Sequence, residues 1–209
     1  MPRRTKADAL LTRQRILDKA ELEFQRRGVS RTTLEHIARA AGVTRGAVYW
    51  HFRNKADLFN EMMDRVASPL DQGLRRSGDA KLADPVAQIR DGFLAALKAT
   101  ATDPQSRRVF EIALFKTENT RELRGVREER LSGRRLRVAD MEAGLRRAAR
   151  RERWQGAVPA SQAAAGVHAL LGGLISDWLL DPTAFDLQTV GRQMIDALLR
   201  GLQAPRASA

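Results

Sequence analysis

The stretch Arg45 to Phe52, RGAVYWHF, joins side chains that rarely cluster without purpose. Placed about 100° apart on a helix, Val48 and Phe52 fall on one side and suit a small core. Gly46 and Trp50 point the opposite way, flanked by Arg45 and Tyr49 on one side and by Ala47 and His51 on the other. The outward arc therefore holds a cation, two aromatics, an imidazole and two very small residues. Guanidinium, hydroxyl and imidazole groups can bond base edges and phosphates, and small residues let the helix backbone approach a surface closely. An outward Trp50 beside the chain's only tyrosine is poorly explained as ordinary solvent surface. The alternative is a helical hairpin whose arc is covered by a partner helix in an all-helical adaptor.

These side chains need a rigid presenting element. Thr44 is a suitable N-cap for their helix. Before it, TTLEHIARAAG reads as a shorter helix closed by Gly42, a residue that adopts the left-handed conformation of a helix terminus without steric cost. Thr32 and Glu35 fit a capping box at its start, and Leu34, Ile37, Ala38 and Ala41 share one face. Two short helices across a tight glycine turn form a helix-turn-helix, whose second helix enters the DNA major groove. An earlier helix, about Asp8 to Arg27, presents Leu10, Ile16, Leu17, Ala20 and Phe24 and is closed by Gly28. A basic arm of Arg3, Arg4 and Lys6 precedes it. Asn54 opens a fourth helix with Asp57 in its first turn, and Lys55 there suits a phosphate clamp. Leu58, Met62, Val66 and Leu70 continue this helix, which links mechanically to the rest of the chain.

Charge supports the same assignment. The net charge of +12 over 209 residues is concentrated in residues 1–65 and 121–153, each carrying +6. The first block includes the helix-turn-helix, as a polyanion surface requires. The second reads as the solvated face of a long helix in preference to a second polyanion site. The chain has no cysteine, which excludes disulfides and thiol chemistry. No apolar run approaches the ~20 residues of a membrane span, and the N-terminus lacks the apolar core of a secretory signal. The expectation is a cytoplasmic protein with no membrane partner.

The remainder reads as helices. The pattern breaks between Gly73 and Ala83. Asp84-Pro85 and Asp103-Pro104 each place a capping acid before a first-turn proline. Between them Val86, Ile89, Phe93, Leu97 and Ala101 draw one face. The run Val109 to Phe115 is apolar enough to be buried all round. A long arginine-rich helix follows over Thr120 to Arg153, uneven near Ser132-Gly133 and ended by Gly156 and Pro159. Ser161 to Leu180 forms a strongly apolar helix with Gly172 and Gly173 in its middle. A last helix carries Leu187, Val190, Met194, Leu198 and Leu202. The apolar surface of these two helices exceeds one domain face, which predicts a homodimer interface made by both. The fold class is all-α with about nine helices. Residues 1–54 form a three-helix DNA-binding domain, 55–204 a larger ligand-binding and dimerisation domain, and 205–209 a disordered tail. The histidines, His36, His51 and His168, lack metal-ligand spacing, and no phosphate loop or catalytic triad is present. The chain is expected to be no enzyme and to need no cofactor.

RTTLEHIARAAGVTRGAVYWHFRNKADLF closely resembles the DNA-binding signature of TetR/AcrR-family transcriptional regulators. The AGVTRGAVYWHF core and the RRTK opening resemble the branch that represses multidrug efflux pump genes, and FEIALFKTEN and LLGGLISDWLLDPTAFDL extend the likeness through the chain. The resemblance implies a homodimer on a palindromic double-stranded operator, released by a small apolar or amphipathic inducer. It implies DNA contacts from Thr33, Thr44, Arg45, Ala47, Tyr49, Trp50, His51 and Lys55. A pocket lined by Val66, Ile89, Phe93, Leu97, Phe110, Leu114, Met141, His168, Leu171 and Ile175 is also implied. His168 and Gly172 stand where some relatives carry aromatic or acidic residues. A constitutive DNA-binding regulator without an effector is the alternative.

Overall fold

A computed structural model describes residues 6–77, 84–118, 120–121, 123–150 and 158–203, with backbone only at 68–77 and 203. Among the described residues there are nine helices and no strand. They are α1 (Lys6–Arg27), α2 (Leu34–Ala41), α3 (Arg45–His51), α4 (Lys55–Ser77), α5 (Pro85–Thr102), α6 (Pro104–Phe115), α7 (Arg124–Arg150), α8 (Ala160–Leu180) and α9 (Leu187–Gln203). Local chemistry sets most of their starts. Asn54 Oδ1 accepts from the Asp57 amide at 2.8 Å, and Asp84 Oδ1 from those of Val86 and Ala87. Asp103 Oδ2 accepts from the Ser106 amide at 2.9 Å. Two expected interruptions are absent. Helix α4 continues through Gly73 to Ser77, and α7 runs unbroken through Ser132 and Gly133. A single glycine costs a helix about 1 kcal/mol, too little to end one whose neighbours favour it. The arm at Arg3 and Arg4, the break at Gly78 and Asp79, the helix end at Gly156 and the tail from Ala204 lie outside the described residues.

The chain packs as two units: Met1–Val66 with Arg108–Arg130, and Ala67–Arg107 with Leu131–Ala209. The first is built on one apolar cluster. Ile16, Leu17, Ala20 and Phe24 of α1 meet Ile37, Ala38 and Ala41 of α2, Val48 of α3, Phe52, and Leu58, Phe59 and Met62 of α4. Val109, Ile112 and Ala113 of α6 with Leu123 and Val126 complete it. Helices of eight and seven residues do not persist alone in water, so α2 and α3 depend on this cover. Glu21, 1% exposed, is anchored among Arg65 and Arg108, at 3.4 and 3.7 Å. The expectation that Val109 to Phe115 is buried all round is corrected. Phe110 is half-buried and Leu114 and Phe115 are exposed, because only the face bearing Val109, Ile112 and Ala113 enters the cluster.

In the second unit α5, α8 and α9 pack on one another. The buried stripe of α9 is Leu187, Gly191, Ile195, Leu199 and Leu202. Val190 and Leu198 are half-buried and Met194 is exposed, so the stripe read from spacing alone is rotated from the one that faces the core. Arg90 forks onto Asp196, with Nε and Nη2 at 2.6 and 3.2 Å from its two carboxylate oxygens. The Arg107 guanidinium lies 4.6 Å from the centroid of the Trp178 ring. Gly191 permits the closest approach, since a Cβ there would stand 2.0 Å from Cδ1 of the fully buried Leu97. Gly191→Ala is expected to destabilise the protein by about 1–3 kcal/mol through overpacking, read as a lower urea midpoint. Helix α8 corrects the membrane expectation. Its mean hydropathy of 1.4 over an 18-residue window makes it long and apolar enough to cross a membrane by composition. Alanines and glycines raise that average without forming a continuous run of large apolar residues.

Candidate nucleic-acid interface

Helix α2 starts one residue later than the capping motif suggests. Thr33 is its N-cap, accepting from the His36 amide at 3.2 Å, while His36 Nδ1 accepts from the Thr33 amide at 3.3 Å. The box expected from Thr32 and Glu35 is therefore corrected to Thr33 and His36. Thr32 is fully buried and donates its hydroxyl to the Gly28 carbonyl at 2.8 Å, so it closes the α1–α2 loop and is not free to cap a helix. The imidazole partner was hidden because glutamate and glutamine, not histidine, are the usual signal at that position. Gly42 ends α2 at φ 64°, and Thr44 caps α3 by accepting from the Ala47 amide at 3.1 Å.

Helix α3 presents the arc read from its sequence. Val48 and Phe52 are buried, whereas Trp50 is 74% and Tyr49 47% exposed. Arg45 and Gly46 are exposed, and Ala47 and His51 lie half-buried at the flank. Arg45 Nη2 donates to Tyr49 Oη at 3.1 Å and its guanidinium sits 5.4 Å from the ring centroid, so the pair is preorganised one helical turn apart. Trp50 packs edge-on against His51, with ring centroids 4.6 Å apart. Thr33 and Thr44 are exposed at the starts of α2 and α3. Seven of the eight expected contact residues thus lie on these two helices and their caps, with donors, a hydroxyl and two ring faces available together.

Lys55 differs. It is 8% exposed, and its ammonium donates to the Ser30 carbonyl at 2.8 Å and the Thr32 carbonyl at 3.0 Å. A side chain spent on two carbonyls of the α1–α2 loop is not presented as a phosphate clamp, and it ties α4 to the loop that precedes α2. Lys55→Met is expected to cost about 1–3 kcal/mol, because it strands a buried carbonyl acceptor. A urea titration checks this, and a stability equal to wild type would restore the clamp reading.

The residues expected around a ligand are divided. Phe110 and Leu114 belong to the first unit with Val66, and the other seven to the second. Ile89, Phe93, Leu97, Met141 and Ile175 are buried, and His168 and Leu171 half-buried. Burial, and then Arg137 and Arg134, push the His168 imidazole below its ordinary pKa, so it is held neutral. A cleft of about 290 Å³ opens in the second unit beside Asp84, Val86, Arg90, Ala148, Asp196 and Leu199, and none of the ten expected residues lines it. Among the described residues no group of His, Asp and Glu could hold a metal ion.

Comparison with known proteins bears on this interface. Residues 16–62 match the model of bacterial regulatory proteins of the tetR family, and residues 84–204 that of the C-terminal region of MAATS-type transcriptional repressors. The chain is 40% identical over 191 residues to the HTH-type transcriptional regulator TtgR of Pseudomonas putida, covering 90% of this chain and 89% of the relative. The HTH-type transcriptional regulator AcrR of Shigella flexneri is 34% identical over 200 residues, covering 95% and 93%. Among solved structures, NalD, the secondary repressor of the MexAB-OprM multidrug efflux pump in Pseudomonas aeruginosa, superposes with a TM-score of 0.85 at 40% identity, covering 95% of this chain and 98% of NalD. The SmeT–triclosan complex gives 0.84 at 34% identity, covering 91% of both chains. With a capped recognition helix presenting Arg45, Tyr49 and Trp50, and with both family models matched, the chain belongs to the TetR family of bacterial transcriptional regulators.

Proposed function

We propose that this protein is a cytoplasmic, non-enzymatic repressor that binds a palindromic operator as a homodimer, controls a multidrug efflux pump operon, and leaves DNA when a small apolar or amphipathic inducer binds. The observation that carries the reading is the outward face of α3, where Arg45, Tyr49 and Trp50 stand exposed over a buried Val48. Residues 1–54 serve as the DNA-binding domain and 55–204 as the ligand-binding and dimerisation domain. Thr33, Thr44, Ala47 and His51 complete the DNA surface, and Lys55 contributes by fixing the loop before α2. Efflux control is supported by the relatives, since NalD is a repressor of a multidrug efflux pump and SmeT has been captured with triclosan.

Dimerisation through α8 and α9 is supported by what those helices leave uncovered. Leu180 is 70% and Met194 42% exposed, and a Cβ at Gly172 or Gly173 would meet nothing of this chain within 4 Å. The cost of two mid-helix glycines is offset if a partner helix approaches there. Inducer binding acts as a population shift toward a dimer whose recognition helices no longer match the ~34 Å repeat of successive major grooves. The test is fluorescence anisotropy with duplexes from the DNA flanking the protein's own gene, with and without triclosan and other apolar drugs. Tight, sequence-selective binding lost on adding a drug supports the repressor. Binding that survives every compound supports the constitutive regulator instead.

A further inference from the structure

Three segments far apart in sequence meet at one end of the first unit. The Val29 amide donates to the Lys116 carbonyl at 2.8 Å, and the Ser30 amide to Glu118 Oε2 at 3.2 Å. Lys55 joins the start of α4 to the same loop through the Ser30 and Thr32 carbonyls. A Cβ on Gly125 would stand 3.5 Å from that of Ala56, the second residue of α4, while Leu123 and Val126 enter the core. The beginning of α7 is thereby held beside the N-termini of α2 and α4, whose aligned amide dipoles favour negative charge. This is the end of the unit that carries the exposed Thr33 cap.

Arg31, Arg121 and Arg124 are exposed here. Glu118 is occupied by the Ser30 amide, and Arg31 helps hold its carboxyl below the ordinary range after burial and the Ser30 bond have acted. Among the described residues, neither Arg121 nor Arg124 has an ion-pair partner. Glu128 and Glu129 lie a turn farther along α7, about 6 Å at 1.5 Å per residue. Arginine forks match phosphate oxygens, and such contacts fix register without reading sequence. We propose that Arg121 and Arg124 bind phosphates of the DNA backbone, extending the protein's footprint from the helix-turn-helix to the start of α7. The inference rests on the DNA reading above, but it concerns residues outside 16–62, the stretch that matches the family's DNA-binding model. It also separates the first turn of the arginine-rich segment from the remainder, whose arginines belong to the other unit from residue 131 onward.

The experiment compares wild type, Arg121→Ala/Arg124→Ala and Arg135→Ala on operator and non-operator duplexes between 50 and 200 mM salt. Two lost phosphate contacts are expected to lower the magnitude of the slope of log K against log salt by roughly 1.8. The affinity lost across that salt range then shrinks about twelve-fold, and both duplexes weaken at low salt by a similar factor. Arg135→Ala, an exposed arginine of α7 outside the first unit, should keep the wild-type slope. Arg121→Gln/Arg124→Gln, which preserves side-chain length, must show the same fall in slope and guards against a folding defect. A wild-type slope in the two double variants overturns the proposal, as does a loss confined to the operator. Wild-type protein that binds no duplex would overturn the DNA reading and this inference together, whereas binding with unchanged slopes overturns this inference alone.

Discussion

Phe24→Ala is expected to abolish DNA binding by unfolding the unit that holds the recognition helix. Phe24 is fully buried in α1, with its ring tilted against Phe59 at 6.3 Å between centroids. Truncating a buried phenylalanine costs about 3–5 kcal/mol, from lost transfer energy and the cavity left behind. Domains have only about 5–15 kcal/mol in hand. The cavity opens in the one cluster that fixes α2 and α3, and neither helix is long enough to survive without it. Urea unfolding followed by circular dichroism is the measurement. A destabilisation under about 1 kcal/mol would mean that the cluster repacks and that α3 is held by other contacts.

Arg45→Ala and Tyr49→Ala should each weaken operator binding by about 1–3 kcal/mol, roughly 5- to 150-fold, if they contact bases. Both side chains are exposed, so the melting temperature should barely change. Because Arg45 Nη2 and Tyr49 Oη are 3.1 Å apart, the two losses should not add. Removing the tyrosine frees the guanidinium that it orients, and removing the arginine leaves a tyrosine with no fixed partner. A double-mutant cycle on operator and scrambled duplexes measures this coupling. Full additivity would mean that the observed pair separates on DNA, and unchanged affinity in both single variants would remove the basis for reading α3 as the recognition helix.

What was legible in the sequence was local. Gly42 at a left-handed terminus, Thr44 as a cap, the Asp-Pro starts at 84 and 103, and the division of α3 into a buried Val48 and an exposed Trp50 depend on neighbours within about four residues. Backbone geometry and helical period are sufficient to determine such features, and the family signature followed from the same residues.

Other features depended on groups distant in sequence. Thr32 and Thr33 are equivalent as caps until the Gly28 carbonyl claims the Thr32 hydroxyl. Lys55 at a helix start suits a phosphate until the α1–α2 loop brings two carbonyls within 3.0 Å of its ammonium. Spacing along α9 admits more than one apolar stripe, and contact between Gly191 and Leu97 selects the one that turns inward. Residues 108–130 pack with the helix-turn-helix because three small helices leave apolar surface that Val109, Ile112 and Val126 cover. The sequence by itself determined the helices, their caps and the identity of the reading head. Only the tertiary structure decided which polar groups were already spent inside the fold, because a hydrogen-bond donor has one set of partners and distant segments compete for it.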